Sequence, residues 1–168
     1  MPATYEPIST QTLGTVTGTV SFTSISGAYT DLVLVVTGTT STGAYNCRFR
    51  LNGDTGSNYS FTELYGTGSS AASSRSTSQT SGRFDNYATP STTGMYLLVA
   101  QFMNYSNSTT YKTVINRSNN AGGTYPGVQA NVNLWRSTAA ITQIDVSPQF
   151  ADTWAVGSTF TLYGVKAA

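Results

Sequence analysis

The stretch Tyr45-Asn46-Cys47-Arg48-Phe49-Arg50-Leu51, followed at once by Asn52-Gly53-Asp54-Thr55-Gly56-Ser57, decides the fold class. Successive side chains of a β-strand point to opposite faces, so Tyr45, Cys47, Phe49 and Leu51 share one side while Asn46, Arg48 and Arg50 take the other. This is the pattern of a half-buried strand. The residues after it tolerate positive φ or hydrogen-bond their own backbone, so the strand ends in a turn. A second alternating run, Tyr59, Phe61 and Tyr65, follows, and residues 45–65 read as a hairpin.

Further strands lie on both sides of this unit. In 127–135, alternation puts Val128, Ala130, Val132 and Leu134 inward and Gln129, Asn131, Asn133 and Trp135 outward. Ser158–Lys166 carries Phe160 and Leu162 on one side, Tyr163 and Val165 on the other. Two segments, Asp31–Val36 and Met95–Ala100, are apolar on both faces, as in strands covered on both sides. With Val16–Phe22, Tyr111–Asn116 and Ile141–Val146 the total is about nine strands, spaced as in a sandwich or barrel, and no stretch has a helical period. The expected fold is all-β, an antiparallel β-sandwich formed by one domain over residues 1–168.

Two segments fall outside this pattern. Residues 67–83 are rich in Ser, Thr and Gly, and read as an exposed loop or as an arm that orders on a neighbouring subunit. Residues 1–13, with Pro2 and Pro7, read as an extended tail in which Pro7 and Ile8 are candidate partner contacts.

Composition narrows the function. The chain has 168 residues, of which 50 are Ser or Thr, with no His, one Cys, eight Lys or Arg and seven Asp or Glu. Histidine is the commonest general base and a common zinc ligand, so its absence argues against both chemistries. A single cysteine forms no internal disulfide, and Cys47 reads as a small core residue. A net charge of +1 leaves no basic surface for tracking phosphates, so nucleic acid is not an expected partner. The N-terminal residues contain neither a signal peptide nor a membrane span, so the chain is expected to be made in a cytoplasm and to have no membrane partner.

No catalytic constellation appears. The carboxylates Glu6, Asp31, Asp54, Asp85, Asp145 and Asp152 sit at strand ends, turns and loops. Glu63 shares parity with Phe61 and Tyr65 and is expected to turn at a bulge toward solvent or an arginine. Residues 52–58 place oxygen ligands at alternate positions but lack the closing acid of a calcium loop, and read as a turn. The expected catalytic residues, metals and cofactors are none.

Aromatic residues are the remaining resource. Trp135 falls on the otherwise polar side of its strand, and Trp154 lies in the loop 149–157. Each reads as a subunit contact, as a platform for stacking on a glycan, or as intramolecular packing under a loop. A two-layer sandwich buries one face of each strand, so the second apolar face of 95–100, with Leu97 and Val99, calls for a neighbouring subunit.

A family likeness runs along the chain. Met1-Pro2-Ala3-Thr4-Tyr5-Glu6-Pro7-Ile8, Leu51-Asn52-Gly53-Asp54-Thr55-Gly56 with Asn58-Tyr59-Ser60, Met103-Asn104-Tyr105-Ser106-Asn107 before Tyr111-Lys112-Thr113, Leu134-Trp135-Arg136-Ser137, and Gly157-Ser158-Thr159-Phe160-Thr161-Leu162-Tyr163-Gly164 occur in this order. In this the chain resembles small virion structural proteins of tailed bacteriophages, notably those of cyanobacteria. The resemblance implies a jelly-roll-like subunit without an active site, located on the phage particle. Two posts follow from it. One is a head decoration or cement protein that binds the major capsid protein as a homotrimer and reinforces the lattice. The other is a tail-fibre or receptor-binding domain that recognises host glycans, with Trp135 and Trp154 as stacking residues.

Overall fold

A computed structural model describes residues 4–43, 46–122 and 126–166. Twelve strands form two antiparallel sheets. They are β1 (Tyr5–Thr12), β2 (Val20–Phe22), β3 (Asp31–Gly38), β4 (Cys47–Leu51), β5 (Tyr59–Gly66), β6 (Ala71–Gln79), β7 (Gly82–Arg83), β8 (Tyr96–Met103), β9 (Lys112–Asn120), β10 (Gly127–Trp135), β11 (Ile144–Pro148) and β12 (Thr159–Val165). The large sheet runs β1-β12-β3-β8-β9-β10-β5-β6, and the small sheet runs β2-β11-β4-β7.

The order contains a jelly roll. Its two four-stranded layers are β1-β12-β3-β8 and β2-β11-β4-β7, and the chain passes between them in the double Greek-key sequence. Two insertions enlarge the large sheet. β5 and β6 enter between β4 and β7, and β9 and β10 between β8 and β11; all four strands join beyond β8. The all-β sandwich is therefore present, with three strands, β1, β6 and β7, outside the nine read from the sequence.

Residues 45–65 do not form a hairpin. β4 belongs to the small sheet and β5 to the large one, so residues 52–58 arch from one layer to the other. Both strands turn their aromatic faces inward, where the rings of Phe49 and Tyr59 meet edge to face at 6.2 Å and the Tyr59 hydroxyl accepts the Leu51 amide at 3.0 Å. Asn52 and Gly53 make the sharp exit from β4 with positive φ. Alternation alone does not distinguish a hairpin from an arch, because both bury one face of each strand.

The tail and the loop are strands as well. Residues 5–12 lie along β12, with a bulge between Pro7 and Ser9 that turns Ile8 toward the core. Pro7 is tolerated because β1 is an edge strand. Residues 71–79 pair with β5 and form the opposite edge. Their side chains, mostly small, have little to bury; the backbone ladder holds the strand, and Ser74 adds a hydrogen bond to the buried Glu63.

Under the jelly-roll half the interlayer space is apolar. Leu32, Leu34, Val36, Leu98, Ala100, Phe102, Phe160 and Leu162 of the large sheet meet Val20, Phe22, Cys47, Phe49, Leu51, Ile144 and Val146 of the small one. Under β9, β10 and β5 the small sheet is mostly replaced by the segment 83–91, an irregular run apart from Arg83 at the end of β7. Its backbone groups are buried and need partners. Inward amides supply them. Asn133 accepts the Arg83 amide at 2.9 Å and donates to the Arg83 carbonyl at 3.0 Å, as does Asn131; Asn116 donates to the Phe84 carbonyl, and Gln129 accepts the amides of Asn86 and Tyr87.

The parity of β10 is therefore the reverse of the expected one. Gln129, Asn131, Asn133 and Trp135 are buried, and Val128, Ala130 and Val132 face out with Leu134. An irregular strap can be buried only against hydrogen-bonding side chains, and this requirement outweighs the hydrophobic preference for the valines.

Candidate functional site

Neither tryptophan is at the surface. Trp154 is 0% exposed and packs against Phe160 (5.1 Å, edge to face) and Tyr96, while its indole N–H finds no acceptor among the described residues. Trp135 is 3% exposed; it stacks on Tyr59, and its Nε1 donates to Asp54 Oδ2 at 2.7 Å. Both are packed within the chain, which corrects their reading as subunit contacts or glycan platforms. Trp135 sits on the strand face taken for the outside, and that face is the inside.

Glu63 is likewise buried rather than turned out. It accepts hydrogen bonds from Ser74, Asn86 and Gln129. Asp85, also fully buried, accepts the Cys47 amide at 3.1 Å and the Tyr96 hydroxyl at 2.6 Å. Loss of water around it outweighs those hydrogen bonds and raises its carboxyl to about 8, so it is protonated at neutral pH. Burial is also the largest influence on Cys47, whose thiol is pushed well above its usual value and is inert as a nucleophile. No cluster of three or more potential metal ligands occurs among the described residues.

The outer face of the large sheet is the feature that stands out. Register places its side chains in rows across the strands. One row reads Tyr163, Val33, Gln101, Ile115, Val132, Thr62 and Arg75, and the next Thr161, Val35, Val99, Arg117, Ala130, Leu64 and Ser73. A third contains Leu97, Asn119 and Val128. Leu64 and Val128 are each 62% exposed and Val132 is 50% exposed, with Leu97, Ile115 and Met103 also open. From β3 to β5 the face is five strands wide, about 24 Å, and about 20 Å long, giving roughly 500 Å² in projection. Gln101, Thr62, Arg117 and Asn119 interrupt it, so its apolar part is smaller than that and comparable to the largest apolar patch on a typical monomer.

Of the sequence-derived contacts, Leu97 and Val99 lie on this face, Pro7 lies at its β1 edge, and Ile8 points inward at that edge. Leu64, Ile115, Val128 and Val132 were not among the candidates. Sequence carries a signal for them, a β-strand with one amide-rich face, but the local pattern does not say which face is inside.

The fold and this face define an all-β jelly-roll protein with an enlarged sheet. No protein-family model matches the chain, and no curated protein matches it. Among solved structures, a protein of unknown function from Shewanella oneidensis MR-1 aligns with 98% of this chain and 77% of its own at 10% identity, with a TM-score of 0.25.

Proposed function

We propose that this chain is a non-enzymatic structural protein of a phage particle, a decoration or cement protein that binds the outside of the head lattice and reinforces it as a homotrimer. The observation that carries the reading is the broad apolar outer face of the large sheet. A two-layer fold does not need it, and a projected area of roughly 500 Å² approaches the ~800 Å² that each partner contributes to a standard interface. The ordered likeness of the chain to phage virion proteins supports the same reading. Repetition over a lattice lets modest single contacts add to firm binding. The glycan alternative loses its two stacking residues, since both indoles are buried.

Cryo-electron microscopy of particles carrying tagged copies tests the proposal. Density in regular positions on the head exterior is the expected result, and density at the tips of tail fibres overturns it. The molar mass of the dilute protein tests the trimer, which a stable monomer excludes.

A further inference from the structure

All fifteen charged side chains lie within the described residues, and two of them differ from the rest. Each carboxylate already accepts a hydrogen bond inside the chain. Glu6 binds Lys166, Asp31 accepts from Gln101 and the Asn104 amide, Asp54 from Trp135, and Asp145 from Ser21 and Gln143. Glu63, Asp85 and Asp152 are buried among their donors. Six cations are engaged too. Arg48, Arg50, Lys112, Arg136 and Lys166 donate to oxygen atoms, and Arg83 lies over the Phe61 ring at 4.7 Å.

Among the described residues the guanidinium groups of Arg75 and Arg117 have neither an acceptor nor an aromatic ring to lie on, and both project from the outer face of the large sheet. Arg117 stands between Val99 and Ala130, in the middle of the apolar patch. Arg75 lies three strands away, about 14 Å across the sheet. Leu64, Ala130 and Val132 fill the space between them. A partner covering this strip desolvates both guanidinium groups, which is costly unless it brings acceptors.

A second copy of this chain is a poor occupant. On the outward positions of the large sheet the sole acidic side chain is Asp31, at the start of β3 and already doubly bonded. Face-to-face pairing would bury arginines without uncommitted carboxylates to meet them.

We propose that this face docks a different protein, one that presents an apolar surface bearing carboxylates spaced to receive Arg117 and Arg75. The inference rests on the virion reading and assigns the face to the head-lattice side of the decoration protein, leaving self-association to other surfaces.

The test uses empty heads assembled from the major capsid protein and the full-length chain, with binding followed by co-sedimentation. Arg117→Glu and Arg75→Glu should each bind at least about tenfold more weakly. Arg50→Glu, an equal change in net charge on the outer side of the small sheet, should bind like the parent. Raising salt from about 0.1 M to about 1 M should weaken the parent more than the variant carrying both Arg75→Glu and Arg117→Glu, because screening acts on the charge pairs. Equal binding by parent and both glutamate variants overturns the proposal while leaving the virion reading intact. Failure of the parent to bind heads overturns both. Self-association that Arg117→Glu or Val132→Asp abolishes identifies a second copy as the occupant and also overturns it.

Discussion

The indole Nε1 of Trp135, at the end of β10, donates to Asp54 Oδ2 at 2.7 Å, tying the large sheet to the arch that leaves the small one. Asn58 and the Gly56 amide donate to the same carboxylate. Partial burial, the largest influence, raises the carboxyl, but the three donors together prevail and hold it below its usual value. A depressed folded pKa contributes stability above the unfolded value near 4 that is lost as pH falls through the folded one. Asp54→Ala should cost about 1–3 kcal/mol in denaturant unfolding at neutral pH, and should flatten the acid limb of the stability profile.

The inverted parity of β10 makes a prediction that runs against the usual rule for polar and apolar substitutions. Asn133→Leu should destabilise by roughly 1–3 kcal/mol, because it leaves the Arg83 amide without its acceptor and the Arg83 carbonyl with Asn131 alone. Val132→Ser, one residue away and half exposed, should stay within about 1 kcal/mol of the parent. Urea unfolding of the two variants checks the order, and a larger loss for Val132→Ser would contradict the observed strand orientation.

Asp85 makes stability depend on pH in the opposite sense to Asp54. Its folded carboxyl is raised to about 8 by burial, so between the unfolded value near 4 and about 8 the folded state binds more protons than the unfolded one. Stability should therefore fall as pH rises through that window, by no more than about 1.4 kcal/mol per pH unit. Asp85→Asn keeps an acceptor for the Cys47 amide and carries no titrating group. Its melting temperature should vary less between the two ends of the window than that of the parent.

Trp154→Ala removes a fully buried indole from beside Phe160 and Tyr96, and should destabilise by about 3–5 kcal/mol. Any loss of binding in this variant reports unfolding, which calorimetry at the temperature of the binding assay will show. Trp154→Phe retains most of the packing and should recover more than half of the lost stability.

Much of the architecture was legible residue by residue. Period-two alternation located β4, β5, β10 and β12, and the doubly apolar runs 31–36 and 95–100 correctly marked strands whose second faces are also hydrophobic. The strands that escaped, β1, β6 and β7, lack an alternating apolar face. All three are sheet edges, where pairing with one neighbour's backbone suffices, and β7 is two residues long.

The sequence by itself determined that the chain is β throughout, that its single cysteine is a core residue, and that turns of Asn and Gly punctuate the strands. These properties follow from local stereochemistry and from the two-residue period, which need no knowledge of neighbours. Only the tertiary structure decided which side of each strand is inside. On β10 the answer depends on a strap more than forty residues earlier in the chain, whose buried backbone required Gln129, Asn131 and Asn133 beneath it and so sent Val128, Ala130 and Val132 outward beside Arg117. Hydrogen-bond satisfaction is a property of the assembled interior, and it set the surface that β10 presents.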